Sequence, residues 1–255
     1  MKQNKSSIDW NLRFSTQAEW TRPLRNFLFN QLGLSKSSQV LEVGSGTGTI
    51  LRETAGYSHC TPFGIDNDFS RLTINKQLQI DQIISCADVY HLPFSQNTFD
   101  YVISHYFLLW LQDPVDALKE ISNVLKPNGM VIALAEPDYL GRIEYPKDFE
   151  ALGNLQIKSL IQQGANAKIG RLLPEILSKT GFVDIQFGIS GFQNSIIHFP
   201  SSANSEWNVL EDDLLFLDKK PNLGKFKELD LDSRKKGTRV SWVPTFYAFG
   251  KKPDN

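Results

Sequence analysis

The chain has 255 residues, 41% of them hydrophobic, which is enough to bury one large core with room for an insertion. Its 27 basic and 28 acidic side chains nearly cancel, and a net charge of −1 argues against the basic face that nucleic-acid phosphates select. Two cysteines, Cys60 and Cys86, with no C-x-x-C pairing and no histidine at ligand spacing, offer neither a disulfide framework nor a metal site, and both read as inert core thiols.

Met1 to Trp10 is polar and lacks an apolar targeting core, and the longest apolar run, near Met130 to Ala135, is too short to span a bilayer. A soluble, cytoplasmic chain is expected, without a membrane partner. Trp10-Asn11-Leu12-Arg13-Phe14 and then Gln17 to Leu32 predict an aromatic-rich helix interrupted near Pro23. Leu24, Phe27, Leu28 and Leu32 recur at helical spacing and predict a face packed on the core.

Val40-Leu41-Glu42-Val43-Gly44-Ser45-Gly46-Thr47-Gly48 follows, an apolar run feeding a G-x-G-x-G turn. Such a run describes a buried strand ending beneath a ligand, with a helix from Thr49 whose first free N–H groups face the turn. Glycines there permit backbone angles and a closeness to ligand that a Cβ forbids. A tight strand-to-helix turn without a ligand is the plainer alternative. Asp66 ends the next apolar segment, 22 residues after Gly44, where a βαβ unit offers a carboxylate to ribose hydroxyls. Position 49 is Thr rather than the final glycine of a dinucleotide turn, which weakens a nicotinamide reading, and no P-loop is present.

Strand-like runs near 39–43, 61–65, 82–86, 99–104 and 129–135 alternate with helix-like stretches near 48–57, 68–79 and 114–125. That alternation predicts a parallel sheet with right-handed crossovers, with Gly44, Asp66, Asp88 and Ser104 emerging along its ligand-binding edge. Asp148 to Gln163 and Arg171 to Lys179 then read as helices, and Phe182 to Ile189 as a strand. Residues 195–236 read as an insertion, before a last strand from Arg239 to Gly250. The basic run Arg234-Lys235-Lys236 is balanced by nearby acids and predicts a solvated surface.

The ordered segments resemble the class I S-adenosylmethionine-dependent methyltransferases, in particular the branch acting on small molecules. Val40 to Gly48 is similar to the family's first motif and Asp66 to its second-strand acid. Cys86-Ala87-Asp88-Val89-Tyr90-His91-Leu92-Pro93-Phe94 is similar to the segment after its third strand, Phe99 to Ser104 to its fourth strand, and Leu125-Lys126-Pro127-Asn128-Gly129 to the turn into its fifth. The resemblance is strong from about residue 38 to 136 and thin outside it. It implies one α/β domain, a Rossmann-like three-layer sandwich whose seven-stranded, mostly parallel sheet ends in an antiparallel hairpin. Within residues 1–255, 1–37 would be a helical lid, 38–136 the cofactor core, and 137–255 the substrate-side helices, insertion and hairpin.

The resemblance also implies S-adenosyl-L-methionine as cofactor. Glu42, Gly44, Ser45 and Gly46 would then face the methionine moiety, Asp66 and Asn67 the ribose, Asp88 and the Val89 N–H the adenine, and Ser104 would sit near by. Local turn-capping is the alternative for Asp66 and Asp88. Acceptor proton chemistry would fall to groups after the fourth and fifth strands, chiefly His105 and Tyr106, with Glu136, Asp138 and Tyr139 adjacent. A lid formed by Trp10, Phe14, Trp20 and Arg22, and an aromatic wall with a cation built from Tyr106, Trp110, Tyr139 and Arg142 beside Asp138, would contact a small organic acceptor, a carboxylate or phenolate suiting the cation; ordinary core packing is the alternative for the aromatic cluster. A protein that binds the cofactor without transfer, or an NAD-dependent oxidoreductase, are the other readings.

Overall fold

The computed structural model describes residues 8–35, 37–58, 62–77, 83–190 and 201–254. His59, Cys60 and His198 lie outside the described residues, as do 78–79 of the expected third helix and 195–200 of the expected insertion.

Along the chain come α1 (Trp10–Leu32), β1 (Val40–Val43), α2 (Thr49–Ser58), β2 (Phe63–Asp66), α3 (Phe69–Gln77), β3 (Ile83–Cys86), β4 (Phe99–His105), α4 (Pro114–Val124) and β5 (Leu125–Pro137). There follow β6 (Ile143–Tyr145), α5 (Asp148–Gln162), α6 (Ile169–Lys179), β7 (Val183–Ser190), α7 (Ser201–Leu214), α8 (Gly224–Lys235), β8 (Val240–Trp242) and β9 (Thr245–Lys251). Single 3₁₀ turns occupy Leu108–Trp110 and Tyr139–Gly141. The main sheet has seven strands in the order β3-β2-β1-β4-β5-β9-β7. β1 to β5 pair in parallel, and β9 runs against both of its neighbours. This is the Rossmann-like α/β sheet with a terminal antiparallel hairpin that the motifs implied.

Strand alternation sorts the core into two layers. Leu41 and Val43 join Val102, Val131 and Ala248 beneath α4 and α6. Val40 joins Ile103, Ile132 and Phe249 beneath α1 and α2. Glu42 shares Val40's parity and therefore enters the α1 side as a carboxylate within an apolar layer. A third, smaller cluster holds Phe149 and Leu152 of α5 against Leu214 and Leu217, with Trp207 and Phe226 packed on it.

Several expectations are corrected. α1 runs unbroken through Pro23. The lost backbone bond costs about 3 kcal/mol, and the long buried face of the helix offsets it. That face is more polar than the leucine spacing suggested: Arg13, Gln17, Thr21 and Arg25 are buried on it, while Phe27 is exposed. Arg25 is fully buried and pairs with Glu53 of α2, with further bonds to Ala18 O and Thr21 Oγ1. Cys86 is exposed, because β3 is an edge strand of the sheet. The expected last strand divides at Val243-Pro244: β8 leaves to pair with β6 in a separate two-stranded sheet, and β9 stays in the main one. Proline has no N–H for a ladder, which makes this a natural break. The insertion folds as the helices α7 and α8, and Arg234 of the basic run turns inward onto Glu206 and Asp230.

Candidate active site

β1 ends in a turn whose glycines 44, 46 and 48 have φ of +72°, +53° and +77°, values that exact a strain from any side chain. Space forbids one as well. A Cβ on Gly44 would stand 2.2 Å from the Phe107 ring, and one on Gly46 2.7 Å from the Phe14 ring. The turn is tied to β2 where the Ser45 N–H donates to Ile65 O (2.8 Å) and the Gly46 N–H to Asp66 Oδ2 (2.8 Å). Asp66 also accepts from the Asp68 N–H at 2.9 Å. Its carboxylate therefore does the local turn-closing work weighed from sequence. With about four acceptor positions on a carboxylate, it retains capacity for a ligand in the cleft it lines.

Two adjoining clefts open along this edge, both touching Gly44, Asp66 and Asn67. The first is walled by Ile65, Asp88, Val89, Tyr90 and Trp110, which set apolar and aromatic surface beside a carboxylate. Asp88 is exposed there and accepts from the Tyr90 N–H at 3.1 Å. The second contains Glu42, Ser45, His105 and Tyr106. Glu42 is only 2% exposed and its Oε2 is buried without a hydrogen-bond partner, as is Ser45 Oγ. Burial pushes the Glu42 carboxyl well above the usual carboxylate range, against the pull of the Arg25 guanidinium and with some help from Asp66. An acid so placed is incomplete until a cation arrives. A glycine cradle, two orphaned polar atoms and a β2 acid fit an adenosyl cofactor that carries an ammonium.

α1 covers this cleft. Phe14 lies over Gly46, the Arg71 guanidinium stacks 4.6 Å from the Trp10 ring centroid, and Arg13 pairs with Asp212 and Asp213 of α7.

His105 and Tyr106 stand where β4 ends. Thr21 Oγ1 lies 2.8 Å from His105 Nε2. That hydroxyl also accepts from Arg25 and lies 3.4 Å from both Gln17 O and Ala18 O, so it ties the imidazole into the buried polar cluster of α1. Burial, and then the charge of Arg25, hold His105 well below its ordinary pKa, so the ring is neutral. Tyr106 adopts φ +50°, a strained conformation for a side-chain-bearing residue. Burial pushes its phenol to about 12, so it is a hydrogen-bond donor at neutral pH. Its ring meets that of His105 edge-on, with centroids 4.7 Å apart. Glu136 holds the loop that follows: it accepts from the N–H groups of Phe107, Leu108 and Leu109 at 2.9, 2.8 and 3.2 Å. Even with those bonds, burial raises it to about 7.

Beyond Tyr106 and Tyr139, which line both spaces, lies a further chamber of about 180 Å³. Trp20 and Arg142 contribute to its wall, as the sequence suggested, together with Trp207, Arg239 and Trp242, which it did not. The remaining expected contacts fall elsewhere. Trp110 belongs to the ring-side cleft. Arg22 is exposed and paired with Glu19. Asp138 is buried, accepting from the Gly141 N–H and paired with Arg171, so it has no free face toward any of the three spaces. Ser104 is buried within β4 opposite Val43, and Gly46 is shielded by Phe14.

A family model described as "Methyltransferase domain" matches residues 41–133. An uncharacterised methyltransferase of Schizosaccharomyces pombe is 36% identical over 156 residues, covering 55% of this chain and 55% of that protein. Cycloartenol-C-24-methyltransferase 1 of Oryza sativa subsp. japonica is 39% identical over 117 residues, 44% of this chain and 34% of that one. The matches thus span about half or less of these relatives. Among solved structures, phosphoethanolamine N-methyltransferase 2 of Haemonchus contortus, in complex with phosphomonomethylethanolamine and S-adenosylhomocysteine, superposes with a TM-score of 0.60 at 18% identity, over 94% of this chain and 57% of that one. At that identity the likeness is one of fold. The glycine cradle and the β2 acid lie inside the stretch 41–133 that matches the methyltransferase domain model, and the sheet order agrees with that match.

Proposed function

We propose that the protein transfers a methyl group to O, N or C of a small organic acceptor. When bound, S-adenosylmethionine supplies a methyl carbon on a sulfonium, so that attack by the acceptor forms the new bond as the carbon–sulfur bond breaks and its electrons return to sulfur. The chain's own task is to position the acceptor and exclude water. Glu42 receives the cofactor ammonium, Gly44 and Ser45 give the backbone its close approach, Asp66 and Asn67 take the ribose hydroxyls, and Asp88 and the Val89 N–H read the adenine edge. Tyr106 donates a hydrogen bond at the junction of cleft and chamber, and His105 keeps it in place. Neither group carries a base with the pKa of an ordinary imidazole, so an acceptor that loses a proton releases it through its own acidity or to water.

The observation carrying this reading is the buried, unpartnered Glu42 carboxylate beside a turn that admits no Cβ. The thioether product provides the test. With a pooled small-molecule extract as acceptor source, S-adenosylhomocysteine should accumulate from S-adenosylmethionine above the acceptor-free blank, and Asp66→Ala should abolish the excess. Tight cofactor binding with no product from any acceptor pool would instead favour a binding protein without transfer.

A further inference from the structure

Along one wall of the chamber beyond Tyr106 runs an unbroken ladder of alternating charges. Arg142 meets Glu144 at 2.8 Å, and Glu144 meets Arg239 at 2.7 Å. Arg239 meets Asp230 at 2.8 Å, Asp230 meets Arg234 at 2.9 Å, and Arg234 meets Glu206. Among the described residues three guanidinium groups therefore face three carboxylates, and their charges balance. Ion pairs so placed hold one another, and an added charge among them would go uncompensated at high cost. This argues against the carboxylate or phenolate that Arg142 suggested from sequence, because the Arg142 charge is already matched by Glu144.

Two donors in the same wall are unmatched. Arg142 Nε and Trp242 Nε1 are buried without any hydrogen-bond partner, although the terminal nitrogens of Arg142 bond Glu144 and Gln156. A buried N–H left unpaired is costly, and an arriving acceptor oxygen would recover that cost. Phe149, Leu152, Val209, Leu210 and Val243 give the wall apolar surface, with the uncharged polar side chains Thr21, Gln156, Ser241 and Thr245 among them. A volume of about 180 Å³ far exceeds the roughly 10–15 Å³ that one water needs, and so suits an organic body.

We infer that this chamber seats the body of the methyl acceptor, and that the acceptor is an uncharged, largely apolar molecule whose carbonyl, ether or hydroxyl oxygen is held by Arg142 Nε and Trp242 Nε1. The inference rests on the methyltransferase reading, since Tyr106 and Tyr139 join the chamber to the cofactor cleft. It fixes the class of acceptor that the cofactor motifs leave open.

Equilibrium dialysis of the protein saturated with S-adenosylhomocysteine, using 2-acetylnaphthalene and 2-naphthoate as probes of one ring system, tests the inference. The neutral ketone should bind at least tenfold more tightly than the carboxylate. Trp242→Phe should weaken the ketone about tenfold without changing S-adenosylhomocysteine affinity. Glu144→Gln, which removes one negative charge from the ladder, should raise naphthoate affinity. Equal or tighter binding of naphthoate by the unaltered protein, or an unchanged ketone affinity in a folded Trp242→Phe variant, would overturn the inference. Binding of neither probe while S-adenosylhomocysteine still binds would reject the chamber's role and leave the cofactor reading intact; failure of S-adenosylhomocysteine itself to bind would remove both.

Discussion

Glu42 is where the cofactor chemistry can be read most directly. A carboxyl raised by burial keeps its proton to a higher pH than an ordinary one, and an ammonium beside it favours the ionised form. Cofactor binding should therefore release protons. Affinity for S-adenosylhomocysteine should rise with pH until the free carboxyl has ionised and then level off, and calorimetry in buffers of different ionisation enthalpy should detect the released proton. Glu42→Gln should weaken binding by roughly 1.5–3 kcal/mol, as for other hydrogen bonds to a charge, and flatten the pH dependence. A steep dependence surviving in that variant would place the titrating group elsewhere. Asp66→Ala should cost a similar amount and should also loosen the turn, since the Gly46 N–H loses its acceptor. The place of both acids at the turn followed from the sequence, because strand ends beside a glycine turn are fixed by local chain geometry. Asp138 was misplaced for the opposite reason: its partner, Arg171, lies 33 residues on, and nothing in the local pattern announces that pair.

Among the elements, α1 shows how far periodicity reaches. Its existence follows from aromatic and leucine spacing, yet its buried face carries Arg13 and Arg25, whose acceptors come from α7 and α2. Sequence pattern ranks an arginine as solvent-facing until a partner is known. Arg13→Ala should remove the tie between α1 and α7 and leave Asp213 with the Gln156 amide alone, at a cost of about 3 kcal/mol in urea unfolding. It should also speed release of S-adenosylhomocysteine in stopped-flow experiments, because Phe14 covers Gly46 from the same helix. A change below about 0.5 kcal/mol would reduce the pair to surface character. β8 repeats the lesson. A continuous apolar stretch predicts one strand, whereas Pro244 allows β8 to leave for β6 and bring Trp242 alongside Ile143.

At the scale of the whole molecule, the surroundings of the glycine turn are encoded by contiguous motifs and the chamber by long-range pairing. The chamber unites Arg142, Trp207, Asp230 and Trp242 from four separate elements or turns, a union set by packing of the insertion and invisible to spacing. Stability should share one pH signature. Glu136 titrates near 7 when folded, against an ordinary carboxyl near 4.5, so the native state keeps a proton that the unfolded chain has released between those values. Its contribution should thus decline as pH rises through that window, and Glu42 acts in the same direction. Melting temperature should fall between about pH 5 and pH 8, less steeply in Glu136→Gln, which should itself cost about 1–3 kcal/mol by presenting an amide to one of three loop N–H groups. An identical slope in that variant would exclude Glu136 as the source. The central claim, an adenosyl cofactor carrying an ammonium at the β1 turn, is tested most directly by calorimetric titration with S-adenosylhomocysteine and, separately, NAD. The account requires saturable binding of the first with Glu42-dependent proton release and no binding of the second; binding of NAD alone would contradict it.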